Sequence, residues 1–249
     1  MNQMHCLSDV GKVRTHNEDA AQIFSNDFVT VMAVADGMGG HACGDIASQI
    51  AIEKVKAKFN ADTQFLVQDA ARRWLKEVLQ EINGEIISYI EENKVEKGMG
   101  TTMVIAILAP TFISFGHVGD SRAYLMTASG LRQITKDHTF VGKLIEEGKL
   151  SKKKAKSHPH RNVIMNALGV SSTLKFDYLL LENFDLKGVL LCTDGLTSMV
   201  EDPDIEEVLE KDLPVEEKVG RLIDLANEKG GRDNVTAALY EFGKGSVQK

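Results

Sequence analysis

The sequence predicts an α+β protein, with mainly antiparallel sheets covered by helices in a layered sandwich. Three observations carry this prediction. Strand-like and helix-like runs come in blocks and not in strict β-α-β alternation. Two helical segments, 44–59 and 64–92, follow each other directly. Short apolar strands then succeed one another from 102 to 126 with only turns between them. That order fits stacked layers and disfavours a doubly wound parallel sheet.

The strand-like runs are "TVMAVAD" (30–36), "TMVIAIL" (102–108), "FISFGHVGD" (112–120), "RAYLM" (122–126), "GVLLCTD" (188–194) and "VTAALYEF" (235–242). Each is rich in β-branched and aliphatic residues and bounded by Gly, Asp or Pro. The Ala109-Pro110 pair reads as a turn between two neighbouring strands. In the helix-like runs, Ile46, Ile50, Val55 and Phe59 recur near helical spacing, as do Leu66, Trp74, Val78, Ile82, Ile86 and Ile90. Gly84 is expected to interrupt the second run. Residues 203–210 and 214–229 read as two more helices, each with Pro near its start. Segment 127–187 reads as a mostly polar interlude.

No repeat, low-complexity linker or composition break divides the chain, so residues 1–249 read as a single domain. With 249 residues, 43% of them hydrophobic, the chain is long enough for a substantial core. Lys and Arg total 29 against 36 Asp and Glu, a net charge of -7, which disfavours nucleic acid as a partner. Apolar runs such as "MVIAILA" (103–109) are too short to span a bilayer, and the N-terminus lacks a signal-peptide pattern. Three widely spaced cysteines, Cys6, Cys43 and Cys192, make neither a disulfide framework nor a C-x-x-C zinc site. A soluble, cytoplasmic monomer is expected, with no membrane partner.

The stretch "VADGMGGHACGD" (34–45) contains a match to the G-x-G-x-x-A dinucleotide fingerprint. The match fails in context, because a second helix follows the first where a parallel strand is required. Asp36 before the first glycine would also repel a pyrophosphate. A different pattern is stronger. Asp36, Asp120 and Asp194 each end an apolar run, and Asp233 precedes the last one. Any one Asp-Gly is equally a turn signal. Together, buried carboxylates at one sheet edge would require compensation, and all-oxygen ligation points to Mg²⁺ or Mn²⁺ and away from zinc.

In this context an ordered set of motifs is informative. "VRTHNEDA" (13–20), "VADGMGGH" (34–41), "GTT" (100–102), "GHVGDSRAY" (116–124), "TKDHT" (135–139), "LLCTDGLTSMV" (190–200) and "GRDNVT" (231–236) occur in sequence. In kind, order and spacing they resemble the metal-dependent serine/threonine protein phosphatases of the 2C type, in particular the compact bacterial branch. The resemblance covers nearly the whole chain. It implies a four-layer α-β-β-α sandwich of two stacked sheets flanked by helices. It implies a centre of two Mn²⁺ or Mg²⁺ ions with Asp36 bridging, Gly37 ligating through its carbonyl, and Asp194 and Asp233 completing one ion's shell. Glu18 and Asp19 would hold metal-bound waters. Asp120, with Asp194, would hold a third, weaker ion.

The implied reaction is hydrolysis of phosphoserine and phosphothreonine in proteins, by a water bridging the two ions and without a covalent phosphoenzyme. Arg14 would grip the phosphate, since a guanidinium matches it bidentately. A thiol mechanism lacks its signature: the positions six after the cysteines hold Lys12, Gln49 and Ser198, and none is Arg. Many family members carry His directly after the first Asp-Gly, where this chain has Met38. The nearest imidazole, His41, either protonates the leaving alkoxide or orients a water. His138 in "KDHT" recurs in the family and reads as the source of a structural hydrogen bond. Segment 139–162 matches the family's variable flap, and its "KKKAK" reads as a solvated face or as an attractor of phosphorylated segments. The implied partners are phosphorylated proteins and a cognate Ser/Thr kinase. Two alternatives have other readouts: a catalytically silent regulatory module of the same fold, and a small-phosphoester hydrolase.

Overall fold

The apolar runs of the central strands are nearly continuous, and the structure shows why: both faces of each strand are covered. The computed structural model describes residues 2–39, 43–61, 67–96, 98–182 and 185–243. In chain order the elements are β1 (Gln3–Asp9), β2 (Asp19–Ser25), β3 (Thr30–Gly39), α1 (Gly44–Ala61), α2 (Gln68–Asn93), β4 (Met99–Thr101), β5 (Met103–Leu108), β6 (Phe112–Val118), β7 (Arg122–Thr127) and β8 (Gly130–Gln133). There follow α3 (Phe140–Glu146), α4 (Lys152–Ala155), β9 (Asp177–Glu182), β10 (Gly188–Cys192), α5 (Asp194–Thr197), α6 (Asp202–Glu210), α7 (Val215–Glu228) and β11 (Val235–Glu241).

One sheet has the order β1-β11-β10-β7-β8 and the other β2-β3-β5-β6-β9, with β4 paired to β3. Every pairing among these strands is antiparallel. Alternation along each strand then sorts side chains into layers. In β3, Val31, Ala33 and Ala35 pack towards α1 and α2, while Met32 and Val34 enter the space between the sheets. In β10, Leu190 and Cys192 face the α6–α7 side, while Val189 and Leu191 face inwards. The result is helices, sheet, sheet, helices, the four-layer arrangement implied by the resemblance.

Helix α2 runs unbroken through Gly84, contrary to the expectation from propensity. Gly84 lies on the exposed face, and its cost of about 1 kcal/mol is small beside the burial of Trp74, Leu75, Val78, Leu79, Ile82 and Ile86. Strands β1, β2, β4, β8 and β9 lie outside the six predicted runs. β1, β2 and β9 stand at sheet edges, so their faces are only partly covered and their sequences are mixed. The predicted run 112–120 ends as a strand at Val118, and Gly119–Asp120 form the turn into β7. No helix among the described residues is long and apolar enough to cross a membrane.

Candidate metal centre and phosphate site

Antiparallel register brings the acidic positions to one end of the sandwich. In the β2–β3 pair, Asp19 lies opposite Asp36. In the other sheet, the end of β10 pairs with the start of β7 and the beginning of β11. Asp194 therefore follows β10 at the same end where Asp233 precedes β11. The chain crosses from one sheet to the other between β6 and β7 through Gly119–Asp120–Ser121, again at this end.

Hydrogen bonds fix the backbone beneath Asp36. Its N–H donates to Thr102 Oγ1 at 3.0 Å, and its carbonyl accepts from Thr102 N and Thr101 Oγ1, both at 2.9 Å. Gly37 N–H donates to the Glu18 carbonyl at 3.0 Å. A Cβ on Gly37 would collide with the carbonyls of Gly44 and Glu18, so only glycine lets the start of α1 approach this strand. Asp19 Oδ2 accepts from Thr193 Oγ1 at 2.9 Å and Thr236 Oγ1 at 2.7 Å. Asn234 ties in the loop before β2: its Oδ1 accepts from Glu18 N at 2.8 Å, and its Nδ2 donates to the Val10 and His16 carbonyls at 2.9 Å.

The electrostatics are those of crowded, desolvated anions. Burial, then repulsion by Asp19, Asp194, Asp120 and Asp233, raises the Asp36 carboxyl well above the ordinary carboxylate range. Burial raises Asp19 to about 7, against the lowering effect of its two threonine hydrogen bonds. Asp194 rises to about 6 through burial and then Asp233. Asp120 rises to about 8 through burial, then repulsion by Asp194 and Asp137. Asp120 Oδ1 is buried with no hydrogen-bond partner among the described residues. Glu18 is also raised, chiefly by burial, with Arg14 opposing.

Arg14 reaches the edge of this group, and its Nη2 donates to Asp233 Oδ2 at 2.9 Å. Both side chains are part-exposed, at 49% and 37%, so the guanidinium faces solvent where a phosphoryl group could enter. His41 lies outside the described residues. Cys192 is fully buried, and burial pushes its thiol up to about 12, far from a nucleophilic thiolate.

The residues that brace the site carry no assignment from sequence, although they lie within the ordered motifs. They are Thr101 and Thr102 of "GTT", Thr193 of "CTDG", and Asn234 and Thr236 of "DNVT". A hydroxyl beside Asp194 and an amide beside Asp233 were the available signals. A second titratable group, His117, His138 and Asp177, stands next to the β6–β7 crossing. Its nitrogen and oxygen atoms lie within 4.8 Å of one another, close enough by distance alone to hold an ion.

The sequence profile of the family described as protein phosphatase 2C matches residues 12–240. The chain belongs to the protein phosphatase 2C family. It is 40% identical over 235 residues to a serine/threonine phosphatase Stp of Listeria monocytogenes, covering 94% of this chain and 93% of the relative. It is 34% identical over 243 residues to protein phosphatase PhpP of Streptococcus pneumoniae, covering 96% and 97%. Its fold matches the crystal structure of the serine/threonine phosphatase Stp1 of Staphylococcus aureus with a TM-score of 0.91 at 34% identity, covering 98% of this chain and 96% of that one. As a protein phosphatase 2C, the chain carries its strand-end aspartates within motifs that span nearly its whole length.

Proposed function

We propose that this protein hydrolyses phosphoserine and phosphothreonine in protein substrates with two Mn²⁺ or Mg²⁺ ions, opposing a Ser/Thr protein kinase. The carrying observation is the convergence of Asp19 and Asp120, which are buried, with Asp36 and Asp194, which are half-buried, all four with raised proton affinity. Groups that hold protons because they are desolvated, and then because they repel one another, are groups that hard divalent cations would neutralise. The all-oxygen donor set and the unpartnered Asp120 oxygen fit such ions. When bound, the ions supply Lewis acidity to a water nucleophile and to the phosphoryl oxygens.

The chain's own residues divide the remaining work. Asp36, the Gly37 carbonyl, Asp194 and Asp233 would hold the core ions, and Asp120 with Asp194 a third. Asp19, anchored by Thr193 and Thr236, and Glu18 would orient coordinated water. Arg14 would turn from Asp233 towards the substrate phosphoryl oxygens. His41 retains its two alternative roles, protonation of the leaving alkoxide or orientation of a water. In the 139–162 flap, Lys152, Lys153 and Lys154 lie exposed on α4, where an acidic or phosphorylated segment would be attracted. Lys156 is paired with Glu201. A cytoplasmic monomer built as one domain is consistent with this reading.

The test is turnover of a phosphothreonine peptide with and without Mn²⁺, beside a set of phosphorylated metabolites. Mn²⁺-dependent release of phosphate, with the peptide preferred, is expected. Full activity in excess chelator would overturn the metal mechanism. No turnover of any substrate would leave the silent-module reading, and preference for a metabolite would leave the small-phosphoester one.

A further inference from the structure

The three-residue group at the β6–β7 crossing has hydrogen-bond directions that decide between an ion and a proton. Gly119 N–H points at His138 Nδ1 at 3.1 Å, so Nδ1 is the bare nitrogen. The proton is therefore on Nε2, which faces Asp177 Oδ2 at 3.2 Å. An ion on Nε2 would drive that proton to Nδ1, directly against the Gly119 N–H. His117 Nε2 lies 2.9 Å from the Ser121 carbonyl and so carries its proton there, leaving Nδ1 buried and unpartnered among the described residues. The two rings lie 4.6 Å apart between centroids.

Both bonds land on the turn that carries Asp120. Gly119 is bound twice by one residue: its N–H by the His138 ring, and its carbonyl by the His138 N–H at 2.8 Å. Gly119 has φ +106°, and a Cβ there would collide with Thr102, the residue that braces Asp36. Thr102 Oγ1 in turn lies 2.7 Å from Ser121 Oγ. The same histidine roots the flap: the His138 carbonyl accepts from Met165 N at 2.7 Å, and Asn166 Nδ2 lies 3.0 Å from Nδ1.

We propose that His138, oriented by Asp177, and His117 are positioning residues that clamp the Gly119–Asp120–Ser121 turn and aim the Asp120 carboxylate at the metal centre. The clamp joins the root of the flap to the position of that carboxylate. It rests on the reading of Asp120 as ligand to a weak third ion.

The decisive variants split the two ring nitrogens of His138. In His138→Asn, the amide oxygen takes the place of Nδ1 and can accept from Gly119. In His138→Gln, the amide reaches towards Asp177 but Nδ1 is lost. Mn²⁺ calorimetry on both, with melting curves in chelator, should show two tight ions in every protein. The weakest ion should be lost by roughly 10- to 100-fold in affinity in the Gln variant, on the scale of losing an outer hydrogen-bond partner. The Asn variant should recover most of it. Asp177→Ala, at a side chain 48% exposed, should keep the fold and weaken the same ion several-fold. Unchanged binding in both the Gln and Ala variants, or equal losses in Gln and Asn, would overturn the clamp. A wild-type protein with two ions and no third would also overturn it, leaving the phosphatase reading intact if the peptide is hydrolysed. A wild type that binds three ions and shows the Gln/Asn split but cleaves no phosphopeptide would support the clamp while overturning the phosphatase reading.

Discussion

Asp194 offers a test in which one substitution changes sign with conditions. Its folded carboxyl is raised from 3.8 to about 6 by burial and Asp233, so without cations its ionisation opposes folding. The folded state then binds more protons than the unfolded chain between about pH 4 and pH 6, and stability falls as pH rises through that window. The stabilising contribution is complete below pH 4 and gone well above pH 6. The rise corresponds to about 3 kcal/mol at pH 8. Asp194→Asn removes the charge and keeps the shape. In excess chelator at pH 8, the variant should therefore melt roughly 6–12 °C above wild type, at about 2–4 °C per kcal/mol for a chain of this size. At pH 4 the two should melt together. In saturating Mn²⁺ the order should reverse, because wild type gains binding energy that the variant lacks. The assay is a set of melting curves at pH 4, 6 and 8 with chelator or Mn²⁺. Equal melting temperatures at pH 8 in chelator, or a gap unchanged by pH, would refute the account of a desolvated, repelled carboxylate.

Arg14→Ala should lower kcat/KM by about 2 kcal/mol, the scale of a charge-assisted hydrogen bond, and steady-state kinetics with Mn²⁺ calorimetry should show metal binding almost unchanged. Asp120→Ala should retain the fold and two bound ions while losing most turnover, with its rate no longer rising at Mn²⁺ levels above those that fill the core. Gly37→Ala should prevent the native approach of α1 to β3, read as loss of cooperative melting or of Mn²⁺ binding. Thiol-blocking reagents should leave activity intact, since burial holds the Cys192 thiol at about 12.

The layered fold was legible because its central strands are apolar on both faces. "TVMAVA" and "MVIAIL" read as strands before any partner was known. β1, with "QMHCLSD", offers no such run, because an edge strand with exposed positions needs no continuous apolar pattern. Gly84 misled for a related reason: helix propensity counts a residue's own backbone, whereas α2 is held by its buried face. At the site, the aspartates stood out as charges at the ends of apolar runs. The clamp was hidden, since His117 and His138 meet only through the strand crossing, and Asp177 arrives from β9 in the segment read as polar interlude. Asp137 was hidden likewise; it forms a bidentate pair with Arg122, bonded at 2.6 Å through Nη2, and through its charge raises Asp120.

The topology itself explains why so much charge collects here. In an antiparallel sandwich, strand starts and strand ends alternate along each edge, so Asp19 at a start and Asp36 near an end become neighbours by register alone. The crossing between sheets adds Asp120, and β10 with β11 adds Asp194 and Asp233 from the other sheet. The hydrogen bonds with Thr101, Thr102, Thr193, Thr236 and Asn234 fix their backbones or orient their carboxylates without neutralising them. A protein that only needed to fold would gain from apolar residues at such buried positions. Retaining four buried or half-buried carboxylates there costs stability in the metal-free state, and under the proposed function divalent cations would offset that cost. The same reasoning limits the clamp's role: its contribution is to keep the least supported carboxylate, Asp120, from turning its unpartnered oxygen elsewhere.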